Sequence, residues 1–171
     1  MKDIYYSFKK LTKNDVTDDY ISWLNNPEIN QFLEVRHTKQ NKQTVQEYIN
    51  SFYQDEEKYI WGIYDSETLI GTTTLSHFNY KKLSAEIGLM IGDKSYWGKL
   101  ASDSAIQFVF NFSFNDLQLE SITGGCYDKN MGIVFTFKKL GFVREHIRGG
   151  TKENVAHQWR IFKNQWLKSQ C

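Results

Sequence analysis

Apolar side chains recur at helical spacing in the first third of the chain and at strand-like spacing in its middle, and that switch defines most of the expected elements. Residues 4–11 read as a strand. Val16, Tyr20, Trp23 and Leu24 then fall on one face of a helix over residues 15–25, which Asn14 can cap. Pro27 suits the first turn of a short helix reaching residue 33, because its fixed φ and missing amide cost nothing there. Val45, Tyr48, Ile49 and Phe52 form the apolar stripe of a third helix over 44–53. Residues 59–64, 69–76 and 84–91 are rich in β-branched and aromatic side chains and are separated by turn-type segments, so three antiparallel strands are expected. A polar loop over 92–98 leads near Ala101 into a helix to about residue 115, whose Ile106, Phe108, Val109, Phe110 and Phe112 leave little polar face and imply burial. A strand over 118–126, a helix over 130–140 stopped by Gly141, and strands over 142–148 and 155–162 follow.

No internal repeat, low-complexity stretch or Pro/Ser-rich linker interrupts this order, so residues 1–171 are read as a single domain. With 40% hydrophobic and 16% aromatic residues, the chain can bury a substantial core. Its 21 Lys plus Arg against 20 Asp plus Glu leave a net charge of +1, too weak a field to hold a polyanion, so nucleic acid is not an expected partner. The N-terminus has no apolar signal core and no stretch approaches the roughly 18 apolar residues of a membrane span. The expectation is a cytoplasmic protein away from the membrane. Cys126 and Cys171 form neither a disulfide framework nor a metal site, and His37, His77, His146 and His157 lie in separate segments without ligand spacing, so no metal is expected.

Two blocks carry a resemblance. Glu86-Ile87-Gly88-Leu89-Met90-Ile91 followed by Tyr96-Trp97-Gly98-Lys99 resembles the core of the GNAT N-acetyltransferase superfamily. Gly125-Cys126-Tyr127, Asn130 and Phe137-Lys138-Lys139-Leu140-Gly141-Phe142 are similar to its later strand, Asn-started helix and closing Lys-x-Gly-Phe. Trp23-Leu24-Asn25-Asn26-Pro27-Glu28 looks like the branch of ribosomal-protein-alanine and spermidine acetyltransferases. The resemblance, covering about residues 4–163, implies an α/β fold of the α+β type with a mixed, largely antiparallel central sheet flanked by helices. It implies acetyl-CoA as co-substrate and a primary amine as acceptor, in a monomer or homodimer.

Physical chemistry supports part of this independently. A loop ending at Gly98 and opening a helix near Ala101 presents unpaired backbone N–H groups and a positive helix end, a combination that binds a pyrophosphate such as that of CoA. The resemblance assigns Trp97, Gly98, Lys99, Leu100 and Ala101 to that group, Leu89, Met90 and Ile91 to the pantetheine, and Asn130 and Phe137 to the cofactor further along. Leu100 stands where the family loop carries its second glycine. Either the backbone accepts leucine there, with a glycine replacement tightening CoA binding at some cost in stability, or the alignment shifts by one residue.

An amine protonated at neutral pH must lose a proton before attacking a thioester, so a carboxylate or a water relay should stand nearby. Glu86 is the candidate, and it reads equally as a strand carboxylate paired to a lysine. The amides of its strand are implied to stabilise the oxyanion of the attacked thioester. Many relatives place a tyrosine acid where this chain has Phe137; a thiol of reference pKa about 8.5 leaves tolerably without one, and Tyr127 is a possible substitute. His77 is a lesser candidate base, and Cys126 is too isolated to suggest a nucleophile. Trp23, Glu28, Glu34 and Arg36 are implied to frame the acceptor, a small amine, an amino-sugar nucleotide or a protein N-terminus, together with residues 149–154. A non-catalytic CoA-binding or interaction domain of the same fold is the alternative.

Overall fold

In the computed structural model, which describes residues 6–170, seven strands form one sheet in the order β1-β2-β3-β4-β5-β7-β6. The strands are β1 (Tyr6–Lys10), β2 (Tyr59–Asp65), β3 (Thr68–Asn79), β4 (Ser84–Ile91), β5 (Ser121–Tyr127), β6 (Val143–Thr151) and β7 (Asn154–Phe162). The helices are α1 (Asp18–Asn25), α2 (Pro27–Asn30), α3 (Lys42–Ser51), α4 (Ala101–Asn111), α5 (Met131–Lys139) and α6 (Lys163–Ser169). The mixed α/β architecture expected from the sequence is the one observed. Two compact units are distinguished, Met1–Thr74 with Leu89–Ala101, and Leu75–Gly88 with Ser102–Cys171.

In the first unit β1 runs antiparallel to β2, with Tyr6 opposite Asp65 and Lys10 opposite Trp61. Leu11, Val16, Tyr20, Val45, Ile49, Phe52, Ile60 and Met90 make its core. Each fully buried aliphatic side chain there contributes roughly 1.5–3 kcal/mol over its exposed state. The helix starts differ from expectation in one respect. Asn14 lies in a 3-10 turn, Lys13–Asp15, that Thr12 and Asp15 close as a reciprocal capping box. That box uses up the positions before Val16, so Thr17 caps α1 by accepting from the Tyr20 amide at 3.1 Å. Asn41 caps α3 in the same way.

In the second unit β4 pairs in parallel with β5, Glu86 lying opposite Thr123, while β5 and β6 both run antiparallel to β7. Of the apolar run expected to be buried, Ile106, Val109, Phe110 and Phe114 are in the core, while Phe108 and Phe112 are only partly buried. Phe110 packs at a tilt against Phe114 (5.7 Å between centroids) and Phe142 (5.5 Å), and Phe114 meets Trp166 (5.2 Å). The helix foreseen to residue 115 ends as α-helix at Asn111 and continues as a π-turn, Phe112–Asp116, which places Phe114 fully inside. Helix α6 lacks a sequence signal because only Trp166 of its residues is buried. No helix among the described residues is long and apolar enough to cross a membrane.

Candidate functional site

Beyond β4 the chain makes a 3-10 turn, Lys94–Tyr96, and then reverses its backbone sense twice. Gly98 has φ +76° and Leu100 φ +62°, with Lys99 between them outside the left-handed region. Alternating backbone handedness can turn successive amides to one side, an arrangement that accepts an anion, and in the chain this segment is followed by α4 from Ala101. The loop is anchored. The Tyr6 hydroxyl donates to the Lys99 carbonyl at 2.9 Å, and the Tyr96 hydroxyl donates to Asp65 Oδ2 at 2.7 Å. Trp97 Nε1 donates back to the Ile91 carbonyl at 2.9 Å, leaving the indole half exposed. Trp97, Gly98, Lys99 and Leu100 are all exposed, whereas Ala101 is buried.

Leucine thus adopts at residue 100 a conformation that glycine normally supplies, and one that costs a side-chain-bearing residue roughly 1–2 kcal/mol. That strain reverses the stability change expected from sequence alone for a glycine replacement. Leu100→Gly relieves it, against roughly 0.5–1 kcal/mol of added unfolded-chain entropy. The expected result is a melting temperature higher by about 1–3 °C in a thermal scan. A fall would mean that the leucine side chain, 58% exposed, still packs well enough to outweigh the strain.

Of the residues singled out on the early helices, Trp23 and Glu28 reach the same loop within the first unit. Trp23 lies against Gly92, where any Cβ would overlap the indole. Glu28 forms an ion pair with Lys94, which also sits 5.9 Å over the Trp97 ring, and the pair holds the Glu28 carboxyl below its usual range. Glu34 is bridged to Arg36 at 3.5 Å, and Arg36 also donates to the Leu33 carbonyl at 2.7 Å. Both acids on this side are therefore matched by a base. The backbone of Leu89, Met90 and Ile91 ends β4 just before Gly92.

In the second unit Glu86 is half-buried and accepts from Arg148 Nη1 at 2.8 Å, so its partner is an arginine rather than a lysine. Asn130 caps α5, its side-chain oxygen accepting from the Ile133 amide at 3.5 Å. Phe137 is 4% exposed and stacks on Phe142 at 4.3 Å; its ring tip lies 2.7 Å from where a Cβ on Gly124 would stand. The glycine at residue 124 thus leaves room for the Phe137 ring, which belongs to the local packing. Tyr127 ends β5 opposite Ala156. Cys126 is buried and its thiol is pushed up to about 12, first by burial and then by Asp128, which leaves no thiolate at neutral pH. His77, exposed in a left-handed kink of β3, has its ring beside the Ser76 hydroxyl at 2.9 Å. Among the described residues no group of three or more His, Cys, Asp or Glu side chains is disposed to hold a metal ion. A cavity of about 270 Å³ beside Lys10, Tyr53, Lys58 and Trp61 takes in none of the site residues. Arg148, Tyr6 and Lys94 escaped sequence reading, because each acts through a long-range contact that no local pattern encodes.

Comparison with known proteins bears on the family and the fold. The acetyltransferase (GNAT) domain profile matches residues 7–143. The probable N-acetyltransferase YjcK of Bacillus subtilis (strain 168) is 32% identical over 117 residues, 67% of this chain and 62% of that protein, so the chain spans less than two thirds of its relative's length. Spermidine N-acetyltransferase from Vibrio cholerae, solved in complex with CoA and spermine, superimposes with a TM-score of 0.81 at 21% identity over 95% of this chain and 98% of that one. A putative acetyltransferase from T. thermophilus gives 0.76 at 15% identity over 96% and 89%. At such identities the structural likeness speaks for the fold, and the profile, spanning most of the sequence, speaks for descent: the chain belongs to the GNAT acetyltransferase family.

Proposed function

We propose that the chain is an acetyl-CoA-dependent N-acetyltransferase that moves the acetyl group to a primary amine by direct attack on the thioester. The observation carrying this reading is the handedness alternation at Gly98 and Leu100 followed in the chain by α4, an arrangement suited to a pyrophosphate and anchored by Tyr6 and Tyr96. Acetyl-CoA supplies the activated acyl group. Residues Trp97 to Ala101 hold its pyrophosphate, the backbone of Leu89, Met90 and Ile91 meets the pantetheine amides, and the Asn130 side-chain amide contributes donors. Phe137, being interior, serves as packing behind that contact. Glu86 takes the proton of the acceptor ammonium, directly or through one water, and Tyr127 is the candidate to return a proton to the departing thiolate. Trp23, Glu28, Glu34 and Arg36 border the acceptor, a small-molecule or peptide amine. The protein works in the cytoplasm as a monomer or homodimer, with no metal, membrane or nucleic acid.

A second reading, a CoA-binding domain without turnover, is favoured by two observations: the interior Phe137 at the position of the family acid, and the occupation of Glu86 by Arg148. Two measurements separate the readings. Acetyl-CoA at one hundred times its dissociation constant should stabilise the fold by about 2.7 kcal/mol, visible as a thermal shift of about 5–10 °C. No shift at millimolar acetyl-CoA would remove the co-substrate assignment. A shift without thiol release on any amine of a broad panel would select the binding domain, whereas amine-dependent thiol release establishes transfer.

A further inference from the structure

Arg148 occupies a position that the sheet has been distorted to create. Along β6 and β7, Ile147 faces His157 and Gly149 faces Ala156, so two residues advance on β6 while one advances on β7. Arg148 is the extra residue of that bulge, and bulges of this kind re-aim a side chain. Its side chain passes flat over Gly125 of β5. A Cβ on Gly125 would lie 2.6 Å from Nη1 and 3.3 Å from Cζ, so the bare glycine leaves room for the guanidinium, whose flexible tip any side chain there would push aside. At the end of that path Nη1 meets Glu86 Oε1 at 2.8 Å. Asp128 and Glu145, nearby carboxylates, have their own partners, Asp128 with Arg144 and His157, and Glu145 with Arg160.

The pairing has a consequence for the acceptor. An ammonium approaching Glu86 meets a carboxylate already neutralised, with a guanidinium beside it. A polyamine offers nothing to displace that guanidinium and is repelled by it. An amine that also bears an oxyanion can exchange partners without leaving a charge unpaired: Arg148 takes the oxyanion and Glu86 takes the ammonium. The exchange is accessible because the pair is not sealed from water, Glu86 being 23% and Arg148 38% exposed, and such pairs hold weakly. Arginine is suited to the task, since its planar fork binds carboxylate or phosphate through two parallel bonds.

We infer that the acceptor is a small amine that itself carries a carboxylate or a phosphate, and that Arg148 selects it by transferring from Glu86 to that oxyanion. This rests on the acetyl-transfer reading above. The test is steady-state thiol release from acetyl-CoA with matched acceptors: a dipeptide and its C-terminal amide, glucosamine 6-phosphate and glucosamine, with spermidine as the polycation. The expected result is a kcat/KM at least about tenfold higher for an anionic member than for its neutral counterpart, with spermidine poorest; which pair shows the larger ratio separates carboxylate from phosphate. Arg148→Gln should bring the members of the pair together by raising the KM of the anionic one, and Arg148→Lys should keep part of the preference. Gly125→Ala, which keeps the arginine but pushes its guanidinium tip aside, should reduce the preference, and equal melting temperatures would show that the variants remain folded. Thiol release that ignores the oxyanion, favours spermidine, or keeps its preference in Arg148→Gln would overturn the role of Arg148 while leaving acetyl transfer standing. No release with any amine would overturn both.

Discussion

Replacing Glu86 by glutamine is expected to lower turnover by roughly 10²- to 10⁴-fold, the range over which a positioned general base contributes. The substitution keeps the side chain's size and its ability to accept from Arg148, so the ion pair becomes a neutral hydrogen bond while the sheet around Thr123 is preserved. The loss should deepen as pH falls. Without a base the enzyme depends on free amine from solution, which drops about tenfold for each pH unit below the amine's own pKa. The measurement is kcat against pH for both proteins with one acceptor. Parallel profiles with equal plateaus would assign the proton transfer to ordered water or to His77. An unchanged kcat with a raised KM would instead make Glu86 a binding group for the ammonium.

The largest effect on stability is expected from Gly71→Ala. Gly71 lies in β3 where β4 ends, and a Cβ there would overlap the Met90 carbonyl oxygen and press on the Ile91 backbone. The obstacle is main chain, which cannot rotate aside as a flexible side chain can. The neighbouring amides of Gly92 and Asp93 both bond the Ile70 carbonyl, at 2.9 and 3.1 Å, so the approach is held from the other direction as well. Overpacking of this kind costs about 3 kcal/mol, or a melting temperature lower by roughly 6–12 °C. Urea unfolding of the two proteins measures it directly. Because the displaced atoms belong to Met90 and Ile91, the same variant should bind CoA more weakly. A stability loss below about 1 kcal/mol would mean that β4 moves away freely, and that this crossing is not fixed.

The sequence made the alternation of elements readable because burial was periodic: Val45 and Ile49 in α3, or the continuous apolar run of β2, leave little choice of element. Boundaries were less legible where two local devices competed. Asn14 and Thr17 are both good caps, and the choice depended on the Thr12–Asp15 box, which is itself a turn motif rather than a helix signal. The π-turn after α4 escaped detection because its apolar residues fit a continuing α-helix equally well. For the site, the motif residues could be read individually, but not their partners. Glu86 shows its carboxylate in the sequence; Arg148 becomes relevant only through a bulge in β6 and a glycine on β5, 62 residues along the chain from the acid it meets. Leu100 was visible as a departure, while the positive φ that explains it is a property of the backbone alone.

The tethers on the loop after β4 bear on how quickly a ligand can be captured. A phosphate-binding segment that must fold around its ligand pays the ordering entropy at the moment of encounter and associates slowly. Here the Lys99 carbonyl is held by Tyr6 and the preceding turn by Tyr96, before any ligand arrives. The Tyr96 phenol, pushed up to about 12 chiefly by its bond to Asp65, keeps its proton and therefore this tether throughout the neutral and mildly alkaline range. Capture should then be limited by diffusion and orientation, with salt rather than pH as the condition that slows it.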